Sequence, residues 1–226
     1  MATNRESRTI AEQIALLKSR RMLIEDEQTA ALCLEHISYF RLKGYWWDMQ
    51  IDKANHIFAP NSYFEDVVAR YNFDRQLRLI LETATFGLLS KFFKNLKHQL
   101  PQKAMITNDF GLNLQNELSS WLETITYLRN IIAHHSRIWG RSMVKRITLP
   151  KITRNLWLKP ATISIQESIQ RPKPFLAIST MVYLCNAINP NNEIKNKLLA
   201  LFQNNPNIPI SKLGFFNNWQ NEPLWK

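Results

Sequence analysis

Apolar side chains return every three or four residues over two long stretches, Phe64 to Leu81 and Leu114 to Trp139. That period lays one apolar stripe along an α-helix and has no counterpart in a strand, where the period is two. In the second stretch Leu118, Trp121, Leu122, Ile125, Leu128 and Ile132 form the stripe, and this is the clearest helix in the sequence. With only 5 glycines in 226 residues to interrupt such patterns, the expected fold class is all-α.

Shorter signals fill in the rest. Thr9 with Glu12 has the form of a capping box and opens a helix that runs to about Arg20; a second opens at Asp26 and carries Ala30, Leu34 and Ile37. The aromatic-basic cluster Tyr39–Trp47 follows, with Gly44 expected to punctuate it, and residues 48–61 read as a loop or short hairpin ahead of Pro60. Ser62 and Glu65 repeat the capping-box form before the first long helix. Gly87 is expected to mark a kink, and the next segment, Leu88 to Leu100, places Lys91, Lys94 and Lys97 on one side until Pro101 ends it. After a polar loop and the long helix comes a basic connection from Pro150 to Pro160. Helices are then expected at Phe175–Ile188 and near Asn192 to Phe202, ahead of an aromatic tail. The pattern divides into an N-terminal helical segment (1–60), a central bundle (61–190), and a C-terminal helix and tail packing on the bundle (191–226).

The chain carries 29 Lys and Arg against 18 Asp and Glu, a formal charge of +11. A surplus of this size favours polyanions, nucleic acid first and an anionic membrane surface second. Cys33 and Cys185 lie too far apart for a zinc ribbon or a redox motif, and two cysteines make no disulfide framework, so a reducing compartment fits. Met1 to Arg8 is polar rather than leader-like, and the most apolar run, Phe175 to Ile188, is broken by Ser179, Thr180 and Asn186. The expectation is a cytoplasmic protein without a membrane partner.

The densest group of phosphate-competent and titratable side chains is Leu128 to Arg141, reading LRNIIAHHSRIWGR. At about 100° per residue, a helix continued through it puts Tyr127, Asn130, His134, Arg137 and Arg141 on one stripe and turns His135 and Trp139 towards the core. His134 is then solvent-facing, and Arg129 has the reach to share its phosphate. A histidine can take the proton from a ribose 2′-hydroxyl while arginine holds the phosphate as charge builds on its oxygens. Such cleavage needs no metal, but it needs a second group to protonate the departing 5′-oxygen, which a two-fold dimer would supply. Against this stands the simpler reading of an Arg and a His that merely share a solvated helix face.

The same run resembles the signature of the AbiF and AbiD group of bacterial abortive-infection proteins, whose R-N-x-x-x-H element is a variant of the HEPN ribonuclease motif. His36 to Tyr45 (HISYFRLKGY), Tyr71 to Arg78 (YNFDRQLR), Phe86 to Ser90, and the tail from Leu213 to Trp225 are similar to blocks of that family in the same order. The resemblance implies a helical HEPN bundle that dimerises and cuts RNA without metal or other cofactor. Its setting would be defence against phage, or a toxin restrained by a cognate small RNA. It assigns Arg129 and His134 as the catalytic pair and Asn130 as the polar residue between them. One departure is that only seven residues separate Arg78 from Phe86, where the family carries a considerably longer helical insertion.

Further RNA contacts are expected from Arg41 and Lys43, interleaved with aromatic rings, and from Arg75, whereas Asp74 and Arg78 read as an ordinary intrahelical pair. No metal-ligand spacing or glycine-rich phosphate loop is present, and the cysteines read as small core residues. The competing functions are a non-catalytic RNA-binding protein that holds a structured regulatory RNA and, motivated by charge alone, a DNA-binding regulator.

Overall fold

Thr9 starts the first helix as its spacing predicts: the Thr9 hydroxyl accepts the Glu12 N–H at 3.3 Å and the Glu12 carboxylate accepts the Thr9 N–H at 2.7 Å. The computed structural model describes residues 8–82 and 93–226. It is all-α, with one short hairpin as the sheet among the described residues. The expected kink at Gly87, Lys91, and the block Phe86 to Ser90 lie outside the described residues.

Two units divide the chain at Phe73/Asp74. The first contains α1 (Ile10–Ser19), α2 (Glu27–Ile37) and α3 (Tyr39–Trp46), then β1 (Gln50–Asp52) antiparallel to β2 (Ile57–Phe58). Asp26 caps α2 by accepting from the N–H groups of Gln28 and Thr29 at 2.9 and 3.1 Å. Contrary to expectation, Gly44 does not interrupt the aromatic cluster; it lies inside α3. The break comes earlier, at Ser38, whose φ of 76° separates α2 from α3. Of the cluster, Leu42, Tyr45 and Trp46 are buried, while Phe40, Arg41 and Trp47 are exposed and Lys43 is half-buried. Trp46 meets Phe58 of β2 edge to face at 6.1 Å.

Helix α4 (Phe64–Glu82) runs through the division. The second unit continues with α5 (Pro101–Asp109), α6 (Gln115–Ala133), α7 (Pro160–Ser168), α8 (Phe175–Ile188) and α9 (Ile194–Gln203), and ends in short 3-10 turns at Ile210–Leu213 and Trp219–Asn221. Two of these helices correct the sequence reading. Pro101 begins a helix instead of ending one, and a further helix starts at Pro160, because proline's missing N–H costs nothing in a first turn.

Helix α8 is the centre of this unit. Every residue from Phe175 to Leu184 is buried, so the helix is covered on all sides, with α6 against one of them. Trp121, Trp157 and Tyr183 form an aromatic cluster with ring separations of 4.7 to 5.5 Å. The C-terminal segment covers α8 as well: Phe215 and Phe216 lie 5.0 and 5.4 Å from Phe175, and the Trp225 indole N–H donates to the Ser179 hydroxyl at 3.3 Å. Buried Glu222 accepts the Lys159 N–H at 2.7 Å and the Thr162 hydroxyl at 2.8 Å, which sets a carboxylate at the positive end of α7. Among the described residues, no helix is long and apolar enough to cross a membrane.

Candidate functional site

Helix α6 begins with the Glu117 carboxylate accepting the Leu114 N–H at 3.0 Å. It buries Leu118, Trp121, Leu122, Ile125, Leu128, Ile131 and Ile132. Its last turns leave Arg129, Asn130, Ala133 and His134 exposed. Asn130 and His134 are four residues apart and so share one face, with the His134 N–H donating to the Asn130 carbonyl at 3.1 Å.

The helix stops there, six residues short of the expected Trp139. His134 is its cap, and His135 adopts a left-handed conformation with φ 50°. The His135 N–H donates to the Ile132 carbonyl at 2.8 Å and the Ser136 N–H to the Ile131 carbonyl at 2.9 Å. These are the paired bonds of a Schellman termination. Two expectations fall with this geometry. His135 is exposed instead of packed beside the core, because the left-handed backbone turns the chain away from the helix axis. Arg137 and Arg141 are half-buried loop residues and do not extend the helical stripe of Tyr127, Asn130 and His134.

What replaces the helix is a loop held by Asp74 of α4. One Asp74 oxygen accepts the N–H groups of Ile138 and Trp139, at 2.9 and 2.6 Å, and the other lies 3.5 Å from the Arg78 guanidinium. Asp74 is fully buried and Arg78 nearly so. The pair is therefore no ordinary surface bridge. Taking away the carboxylate would strand the Arg78 charge and two backbone donors in the core, a loss of about 3–5 kcal/mol. Ile138 and Trp139 fill the core beneath the loop. Sequence reasoning did not give Asp74 this role, although a carboxylate sits on the buried stripe of Phe73, Leu77 and Leu81, a place that demands partners.

Further along, Gly140 with φ 71° turns the chain, the Met143 N–H donates to the Pro172 carbonyl at 2.8 Å, and the Lys173 ammonium donates to the Gly140 carbonyl and Ser142 hydroxyl, each at 3.4 Å. Burial, followed by the nearby charges of Lys212, Arg137 and Arg171, pushes the Lys173 ammonium below its usual pKa.

The remaining expected residues fall elsewhere. Tyr127 is half-buried on α6, Arg75 is exposed on α4, and Arg41 and Lys43 belong to the first unit. Lys94 is paired with Glu123 at 2.7 Å, as is Lys145 at the same distance, while Lys97 stays exposed. Burial raises the Cys185 thiol to about 11 and also raises that of Cys33, in keeping with unreactive, packed side chains. Among the described residues, no three His, Cys, Asp or Glu side chains gather closely enough to hold a metal ion.

The family comparison covers the stretch in which a 19-residue helix ends in this exposed Arg-Asn-x-x-x-His element. The family model described as Abi-like protein matches residues 32–84 and 79–140. Over residues 32–140 the chain is similar to the Abi-like family, and that likeness points to a role in abortive-infection defence. No curated protein and no solved structure matches it. The second match contains α6 and ends at the Gly140 turn, and the first contains Asp74.

Proposed function

We propose that this protein is a metal-independent endoribonuclease of HEPN type, acting as a homodimer in abortive-infection or toxin–antitoxin defence. The observation that carries the reading is the exposure of Arg129, Asn130 and His134 together on the last turns of α6, followed by a loop whose Ile138 and Trp139 N–H groups are bonded to Asp74. His134 takes the proton from a ribose 2′-hydroxyl, and the 2′-oxygen attacks the adjacent phosphorus. The bond to the 5′-oxygen breaks, and that oxygen leaves with a proton from the corresponding imidazole of the second copy. Arg129 carries the charge that builds on the phosphate, and Asn130, one turn before His134, orients the imidazole or the phosphate. The products are a 2′,3′-cyclic phosphate and a 5′-hydroxyl, with protons balanced between the two histidines.

Cleavage of RNA in the presence of a chelator tests this. The wild type should cut and leave cyclic phosphate ends, and His134→Ala should lower the rate by about 10²–10⁴-fold. Arg129→Ala should lower it comparably; unchanged rates in both variants reject the assignment.

A second reading has its own support. The two family matches overlap at residues 79–84, within the short stretch where the resemblance implies a longer helical insertion. A chain shortened there would keep the cationic surface and lose part of the groove that orders the reacting ribose. It would then serve as an RNA-holding protein, recognised by tight binding that weakens steeply with salt and by no cleavage at any protein concentration.

A further inference from the structure

Three loops of the second unit contain no Asp or Glu: residues 134–146, 169–175 and 210–216. They are tied to one another. The Met143 N–H donates to the Pro172 carbonyl at 2.8 Å, and the Arg146 guanidinium donates to the Gln170 carbonyl at 3.3 Å. Gly214 has φ 93° and leaves so little room that a Cβ there would stand 2.6 Å from the Lys173 Cβ. The turn carrying Lys212 is thereby pressed onto the stem of Lys173, while Lys173 itself reaches back to Gly140 and Ser142. The charges felt by Lys173 from its surroundings are those of Lys212, Arg137 and Arg171, all of its own sign. These like charges disfavour the Lys173 ammonium, and a bound polyanion offsets their repulsion.

We infer that Lys173, with Arg137, Arg171 and Lys212 around it, forms a phosphate-binding centre that grips the RNA backbone beside His134. Arg137 lies three residues beyond His134, so a strand held by the cluster passes the end of α6. Lys173, Arg171 and Lys212 all lie past residue 140, outside the span that the family model matches. The inference takes its ligand class from the RNA reading above but does not depend on cleavage.

The test uses the intact protein and a fluorescent single-stranded RNA with 2′-O-methyl riboses, which cannot be cut by 2′-hydroxyl attack, titrated over a series of salt concentrations. Arg171→Gln and Lys173→Gln should each weaken binding severalfold and flatten the slope of log affinity against log salt by about 0.7. Lys173→Arg should retain binding. Lys197→Gln removes the same charge from a lysine already paired with Glu193 and should leave the slope unchanged. Exposed Arg171 makes the fold an internal control: Arg171→Gln should keep or raise the melting temperature while binding weakens, which a structural role would not produce.

Equal effects of the three Gln variants, or no binding by the wild type, overturn the inference. So does Lys173-dependent binding to phosphatidylserine vesicles without Lys173-dependent RNA binding. A wild type that binds methylated RNA through Lys173 but fails to cut all-ribose RNA refutes the nuclease reading and leaves the phosphate centre standing.

Discussion

Two adjacent histidines separate by backbone conformation rather than by helical angle. His134 keeps the geometry of a helix cap, whereas His135 occupies the left-handed region that glycine fills at most such ends. Holding a non-glycine residue there costs about 1 kcal/mol. His135→Gly should therefore raise stability by up to about 1 kcal/mol in a urea titration and leave RNA cleavage intact, while His134→Ala does the reverse. Loss of cleavage in His135→Gly would move the catalytic assignment by one residue. Arg21, with φ 72°, ends α1 in the same way: the Met22 N–H donates to the Leu17 carbonyl and the Arg21 N–H to the Lys18 carbonyl. A chain with so few glycines ends helices on other residues, which is why no glycine marked either boundary.

Among the elements, legibility followed the apolar period. Phe175–Ile188 was placed to the residue because an apolar run of that length, interrupted only by Ser179, Thr180 and Asn186, has little else to be. α6 was extended too far because Ile138 and Trp139 are buried although they are not helical, so the period continued after the helix had stopped. α5 escaped notice because its buried positions include Lys103 and Thr107, which carry no apolar signal. Arg129, Asn130 and His134 could be read from one short stretch. Asp74 could not, since its bonds to Ile138 and Trp139 cross 64 and 65 residues, and the Lys173 cluster likewise draws on separate loops far apart in sequence.

Between elements, Glu123 of α6 joins Lys94 and Lys145 at 2.7 Å each, and those two bonds hold its carboxyl below the ordinary glutamate pKa. A depressed carboxyl stabilises the fold above its unfolded pKa and stops doing so as pH falls through its folded one. Glu123→Gln should cost about 0.5–1 kcal/mol at pH 7, both lysines being largely exposed. The difference from wild type should shrink as pH falls below about 4.3 and vanish below the folded pKa. A gap that persists in acid would show that packing, not charge, is responsible.

For the whole molecule, the chemistry proposed here requires two copies, because a proton must be removed and another delivered on opposite sides of one phosphate. Specific cleavage rate should then fall with dilution, in step with the loss of dimer seen by sedimentation. A monomer that cuts at full rate would require the proton donor to be found within a single chain.

The aromatic segment that covers α8 bears on the order in which the protein is made. A ribosome delivers the Arg129–His134 turn well before Phe215, Trp219 and Trp225, so the nascent bundle meets water without the rings that complete it. On the nuclease function proposed above, that order has a use: a chain whose covering rings are made last is still unfinished on the polysome, where RNA is most concentrated.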